Sequence, residues 1–322
     1  MKIFISIKPL GRMVKAAHGF LYNFIRYCLY SNAKQNVVDS KKRNYISVKI
    51  YHTLEKSMSY KNRSSSHGWT AAFMLMEHCK AINASKNIGY HDKIALSVLK
   101  DFIDLEGNVD RPEAEQILSE IEEFDFLSDE DCGSHLLSRD EMTTGKLELP
   151  ESFFLSRFSL REFSPVVVED DIIEKAISLA MKTPSACNRQ PWYIYHIADP
   201  EIKKAALKLQ TGNAGFGDRI PNLLVIAADL NAFIPGQEHY QHWIDGGMFS
   251  MSTIYALHSL GVASCCLNWS QTPGADKSLR KIVNIQGSHS IIMMLAVGWP
   301  DEENLVCVSP RRPFNEIYKK IG

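Results

Sequence analysis

A chain of 322 residues with 45% hydrophobic composition can bury a sizeable core and more naturally forms two domains than one. Its formal net charge of -1 gives no overall attraction for nucleic acid. Seven cysteines, at 28, 79, 132, 187, 265, 266 and 307, form no CxxC pair, which speaks against a disulfide framework or zinc cluster and suits a reducing cytoplasm.

The charge is uneven along the chain. Residues 1–30 hold Lys2, Lys8, Arg12, Lys15 and Arg26 and no acid, whereas residues 101–131 hold thirteen acids and the single base Arg111. The basic residues interrupt the apolar runs near the N-terminus and no small-residue cleavage site follows, so no signal peptide is expected. No stretch approaches the roughly 18 to 20 apolar residues that span a bilayer.

Leu10, Val14, Ala17, Leu21, Phe24, Ile25 and Leu29 recur at helical spacing and predict an amphipathic helix over residues 10–30 with a basic opposite face. Packing on the rest of the chain, beside the acidic segment, is favoured over contact with an anionic membrane surface. Residues 31–66 are polar and basic and read as a surface loop or linker, with one helical turn at Tyr51 to Lys56 that puts His52 and Lys56 on one side, beside Glu55. Helices follow over 69–84 (Ala72, Leu75, Met76, Cys79), 91–103 (Ala95, Val98, Leu99, Phe102) and 112–124, the last with Pro112 in its first turn. The best boundary lies between Ser128 and Pro150, which divides the chain into a helical N-terminal extension, 1–150, and a second domain, 151–322.

After Pro150 helices and strands alternate: helix 172–181, strand 193–198, helix 200–209, strand 222–229, a long buried helix 240–260, strand 263–268, helix 276–283 and strand 290–297. Between the first two lies the loop Thr183 to Trp192, TPSACNRQPW. Its amides and hydroxyl, bracketed by prolines, suit the edge of a planar heterocycle, or they satisfy the backbone of a helix-to-strand turn. Arg157, Ser159 and Arg161 alternate and share one side of an extended segment, suiting a phosphate or a solvated basic turn. Arg311 and Arg312, held by Pro310 and Pro313, form a second basic cluster. His239 and His242, with Asp245 near, have poor zinc spacing and read as a polar helix start. Cys187 shows no base partner, and Cys265 and Cys266 read as strand neighbours facing opposite ways. Neither a GxxxxGK[ST] nor a GxGxxG motif occurs.

In order and spacing, Arg157-x-Ser159-x-Arg161, Pro184-Ser185-x-x-Asn188-x-Gln190-Pro191-Trp192, Asp245-Gly246-Gly247, the turn from Leu260 to Cys265 and the basic motif before Pro313 resemble the FMN-dependent nitroreductase family over about residues 153–322. The resemblance implies an α+β, three-layer α-β-α fold with a mostly antiparallel central sheet, preceded here by the mostly helical region. It implies that Arg157, Ser159, Arg161 and Arg311 hold the FMN phosphate and ribityl chain. Pro184, Ser185 and Asn188 reach the flavin ring from the other subunit of a homodimer, and Asn213 binds its pyrimidine edge. Asn268 and Trp269 close over the cofactor through their backbone.

The activity so implied is hydride transfer from NAD(P)H through FMN to a small organic acceptor such as a nitroaromatic or quinone, with no catalytic nucleophile and no metal. The alternative is a specialised or non-catalytic flavin-binding protein that docks a partner or membrane surface through its helical region. Phe158, Ser309 and Phe216 depart from commoner Arg or His, Lys, and basic residues, so flavin potential and electron donor stay open. The substrate-contacting segment is placed within Ala232 to Gln241.

Overall fold

The computed structural model describes residues 8–85 and 87–322, so Lys2 and the start of the basic segment lie outside the described residues. Helix α1 (Lys8–Tyr30) is followed by α2 (Ser40–Met58), α3 (Trp69–Asn83), α4 (Tyr90–Ile103) and α5 (Pro112–Ile121). The helix α2 corrects the expectation of a loop or linker over 31–66. Asp39 caps it by accepting from Lys41 N at 3.0 Å and Lys42 N at 3.3 Å. Its buried side mixes Tyr45, Val48, Tyr51 and Leu54 with Arg43 and Ser47, so polar residues interrupt the apolar stripe by which such a helix is recognised.

Helices α2 to α5 share one core. Val48, Leu54, Ala72, Leu75, Cys79, Ala95, Val98, Leu99, Phe102, Ala114 and Ile117 are all sealed within it. Arg43 is buried there too and is paired with Asp92 at 2.9 Å, while Ser47 donates to the other Asp92 oxygen at 2.6 Å. Helix α1 stands apart from this core. It packs on the C-terminal half of the chain, where Tyr22 Oη donates to Asp276 at 2.8 Å.

Two short helices, α6 (Arg139–Thr143) and α7 (Pro150–Leu155), cross the exposed connection to α8 (Asp170–Ala180). Next come β1 (Trp192–Ile197), α9 (Pro200–Leu207), β2 (Asn222–Asp229), α10 (Gln241–Ser259), β3 (Ala263–Asn268), α11 (Pro273–Val283), β4 (His289–Gly298) and α12 (Phe314–Ile317). The strands form one sheet in the order β1-β2-β4-β3, and each neighbouring pair is antiparallel.

Every residue of β2 is buried, as befits a central strand covered on both faces. Leu223 and Val225 pack with α9 and α11 residues such as Leu207 and Leu279, whereas Leu224 packs with Ile173 of α8 and Leu257 of α10. Successive side chains therefore enter two helical layers, which makes the domain a three-layer α-β-α structure. Gly246 lets α10 approach the sheet, because a Cβ there would lie 2.5 Å from Ile292.

Candidate functional site

Beyond α7 the chain runs along the outer edge of β3. Ser159 pairs in parallel with Ser264, and Leu160 N donates to Ser264 O at 3.2 Å. Leu160 is buried in the core, whereas its neighbours Arg157, Ser159 and Arg161 stay partly or fully open to solvent. Arg157 and Ser159 are half-buried and Arg161 is exposed. Burial pushes the thiol of Cys265 up, with Arg161 and then Arg157 pulling against it; burial likewise raises Cys266 against Arg157. Both guanidinium groups therefore lie beside β3. Cys265 is buried and Cys266 exposed, on opposite sides as alternation predicts. Arg161 Nη1 donates to Cys307 Sγ at 3.4 Å, which brings the C-terminal tail to this segment. Arg311 lies further along that exposed tail and donates to the carbonyl of Ser309.

The loop from Thr183 to Trp192 is tightly wound. After α8, Thr183 Oγ1 donates to Ala180 O at 2.6 Å, and Ala186–Asn188 forms a single 3-10 turn. Cys187, Asn188 and Gln190 have φ of 53°, 53° and 50°, left-handed conformations that cost a non-glycine residue roughly 1–2 kcal/mol each. Side chains hold this shape. Ser185 Oγ accepts from Gln190 N at 2.9 Å, leaving its own hydrogen free to donate outward, and Gln190 Nε2 donates to Asn188 Oδ1 at 3.3 Å. Pro184 is exposed.

The main restraint on this loop is Arg189, which sequence reasoning passed over. Its side chain is 1% exposed. Nε donates to Ala186 O at 2.9 Å, and Nη1 donates to Ala232 O and to Glu238 Oε2, each at 2.8 Å. Burial opposes ionisation of Glu238, but its bonds with Arg189 and the Ile234 N–H, together with the charges of Arg189 and Lys49, outweigh this and the net shift of its pKa is downward. From α10, Asp245 Oδ2 accepts from Ala186 N at 3.2 Å and Oδ1 from Gln241 Nε2 at 2.7 Å. Burial raises the Asp245 pKa against these two bonds. An available clue was the Glu238 to His242 stretch, singled out for its histidines when its carboxylate anchors the loop. His239 bonds Gly236 O at 2.8 Å, while His242 stacks on Tyr27 with 5.8 Å between centroids.

The N-terminal helices complete this arrangement. α2 lies against the Ala186–Asn188 turn, and Lys49 Nζ is 3.7 Å from Glu238 Oε1. Asn32 N donates to Phe233 O at 2.8 Å and Tyr27 Oη to Ile234 O at 3.3 Å. The start of the Ala232 to Gln241 segment is thus fixed under the helical region, whereas Gly236 and Gln237 are exposed and Glu238 half-buried.

Asn213 lines a recess of about 250 Å³ with Leu207, Phe216 and Arg219. Its amide nitrogen donates to Leu207 O and Gln210 O, both at 2.8 Å, and so closes the end of α9. Asn268 accepts from Gln210 Nε2 through its carbonyl at 3.1 Å. Trp269 is buried, with Nε1 donating to Asp276 at 3.0 Å. The structure thus groups Arg157, Ser159 and Arg161 on one edge and Pro184, Ser185 and Asn188 in one loop, and joins Asn213 to Asn268 through Gln210.

Comparison with known proteins agrees with this domain. A model of the nitroreductase family matches residues 155–299. An NADH dehydrogenase of Thermus thermophilus is 34% identical over 195 residues, covering 51% of this chain and 91% of its own. A protein of Archaeoglobus fulgidus provisionally named NADH dehydrogenase/NAD(P)H nitroreductase is 28% identical over 152 residues, 46% of this chain and 83% of its own. Among solved structures, an FMN-dependent nitroreductase from Clostridium difficile has 21% identity and a TM-score of 0.46, covering 53% of this chain and 98% of its own. The sheet with its two helical layers defines an α+β domain preceded by a helical region, and the chain belongs to the nitroreductase family. Membership makes it an oxidoreductase.

Proposed function

We propose that this chain is an FMN-dependent NAD(P)H oxidoreductase acting on a small organic acceptor. The observation that carries the reading is that Arg157 and Arg161 lie beside β3, to which Ser159 is bridged. Two guanidinium groups and a hydroxyl in one segment match the acceptor oxygens of a phosphate and polyol chain, so the donor set fits FMN. Bound FMN supplies the two-electron carrier between nicotinamide and acceptor.

The residues of this chain bind and orient. Arg157, Arg161 and Arg311 neutralise the phosphate, with Ser159 on the ribityl chain. Pro184, Ser185 and Asn188 meet the ring from the partner subunit, and Asn213, Asn268 and Trp269 border the remaining edge. Because Asn213 commits its NH2 group to α9, its Oδ1 is the atom left to accept. Arg189 and Glu238 act as positioning residues by fixing the backbone that carries Ser185 and Asn188.

A homodimer is supported by apolar side chains left open on α10 and on the C-terminal tail. Trp243, Ile244 and Met248 of α10 are 36%, 50% and 37% exposed, and Leu305, Val308 and Phe314 of the tail are 95%, 85% and 74% exposed. Exposed apolar side chains of this kind suit an interface, and a tail covered by a second subunit would bring Arg311 to a phosphate.

Fluorescence-quenching titration of the purified chain with FMN tests the reading. Saturable uptake and flavin absorbance are expected. A chain that stays colourless and quenches nothing would contradict it.

A further inference from the structure

Helix α1 lies outside residues 155–299, which match the nitroreductase family, yet it attaches by its polar side to the helix that follows Trp269. Tyr22 and Arg26 are about 40° apart around α1, and they hold α11 at both ends. In the first turn of α11, Asp276 Oδ2 accepts from Tyr22 Oη at 2.8 Å. Beyond its last turn, Arg26 Nη2 donates to the carbonyls of Gly287 at 2.9 Å and His289 at 3.0 Å. The Tyr22 ring is itself flanked by Arg26 and Lys277, each 5.7 Å from its centroid.

Asp276 is the node of this attachment. It is buried, and besides Tyr22 its Oδ2 accepts from Arg280 Nε at 2.6 Å while its Oδ1 accepts from the Trp269 indole at 3.0 Å. Burial pushes its pKa up, but the Arg280 charge and the bonds from Arg280, Trp269 and Tyr22 outweigh this and the net shift is downward. The carboxylate is the acceptor of a buried indole, so its position sets that of the ring. From Trp269 the bonds run on to the residues assigned to the flavin edge. The carbonyl of Asn268, its chain neighbour, accepts from Gln210 Nε2 at 3.1 Å, and Gln210 Oε1 accepts from Asn213 Nδ2 at 3.0 Å. Hydrogen bonds and the Asn268–Trp269 peptide thus join Tyr22 to Asn213 without a gap.

We propose, given FMN at that edge as argued above, that Tyr22 and Asp276 are positioning residues for the cofactor. Tyr22 holds the Asp276 carboxylate where it orients Trp269, and with it the Asn268 backbone and the acceptor oxygen of Asn213. A helix outside the family domain thereby adjusts the flavin site without touching the cofactor.

FMN affinity by fluorescence quenching, read together with the visible bands of the bound flavin, tests this on the full chain, Tyr22→Phe, Asp276→Asn and the double variant. Tyr22→Phe removes one hydroxyl and keeps the ring between Arg26 and Lys277, so the fold should hold. It should weaken FMN binding on the order of fivefold and shift the flavin bands. Asp276→Asn should weaken binding further, and adding Tyr22→Phe to it should have little more effect, because both act on one node. Lys41→Ala, which cuts the separate bond from α2 to Gln286 Oε1 at 3.0 Å, should leave affinity unchanged. With a parent that binds FMN, unchanged affinity or unchanged bands in Tyr22→Phe would overturn the proposal. So would additive losses in the double variant or an equal loss in Lys41→Ala. A parent that takes up no FMN would overturn the cofactor reading as well.

Discussion

Arg189 shows how one side chain can set the shape of a loop that carries others. It holds the carbonyls of Ala186 and Ala232 and the Glu238 carboxylate, and removing its side chain takes one buried donor from each of these groups. Arg189→Ala should destabilise the fold by about 2–3 kcal/mol, measurable by urea denaturation. It should also weaken FMN binding through the loop, since three residues there adopt left-handed backbone. Equal FMN affinity in folded Arg189→Ala would remove its positioning role.

Burial lowers the pKa of both His91 and His242 to about 4. Geometry supports neutral rings: Tyr51 Oη is 2.7 Å from His91 Nδ1, and His242 Nδ1 is buried without a partner. A histidine whose folded pKa lies below its unfolded value of about 6.5 takes up protons preferentially when unfolded. Its contribution is whole above about pH 6.5 and is lost as pH falls towards 4. At pH 5 each should cost about 2 kcal/mol relative to pH 7. Denaturation at the two pH values should show a shallower loss in His242→Gln than in the parent; an identical loss would show that His242 is not the titrating group.

The contact of α10 with the sheet depends on a missing side chain. Gly246→Ala would place a methyl 2.5 Å from Ile292, and overpacking of this kind costs about 1–3 kcal/mol. Thermal unfolding should show a lower Tm. Asp245, next in the chain, holds Ala186 N, so the same substitution should loosen the loop.

Elements with an uninterrupted period were readable in the sequence. The strand over 222–229 is found as β2 (Asn222–Asp229), and the helix over 69–84 as α3 (Trp69–Asn83). Helix α2 escaped because Arg43 and Ser47 share its buried side, although Tyr45, Val48, Tyr51 and Leu54 do keep the period. The Arg157 to Arg161 segment was noticed for its two-residue spacing, and its place beside β3 depends on the single bridge from Ser159 to Ser264. The Arg189–Glu238 pair was not legible, since its partners lie 49 positions apart and their meeting depends on how α10 is entered. Nor could any local pattern show that α1 attaches by its polar side, because periodicity gives the faces of a helix without saying which one a neighbour takes.

At the scale of the whole molecule, the described residues expose apolar side chains on α1, on α10 and on the C-terminal tail. In the proposed homodimer a second copy would cover the last two. Deleting residues 303–322 should therefore lower dimer stability and FMN affinity together. Sedimentation velocity beside fluorescence quenching reads the two effects. The most direct test of the central claim is FMN affinity measured by fluorescence quenching on the parent and on Arg157→Gln with Arg161→Gln. Loss of two charge-assisted phosphate contacts should weaken binding on the order of a hundredfold or more. Unchanged affinity in the folded variant would contradict the assignment of the β3 edge to the cofactor phosphate.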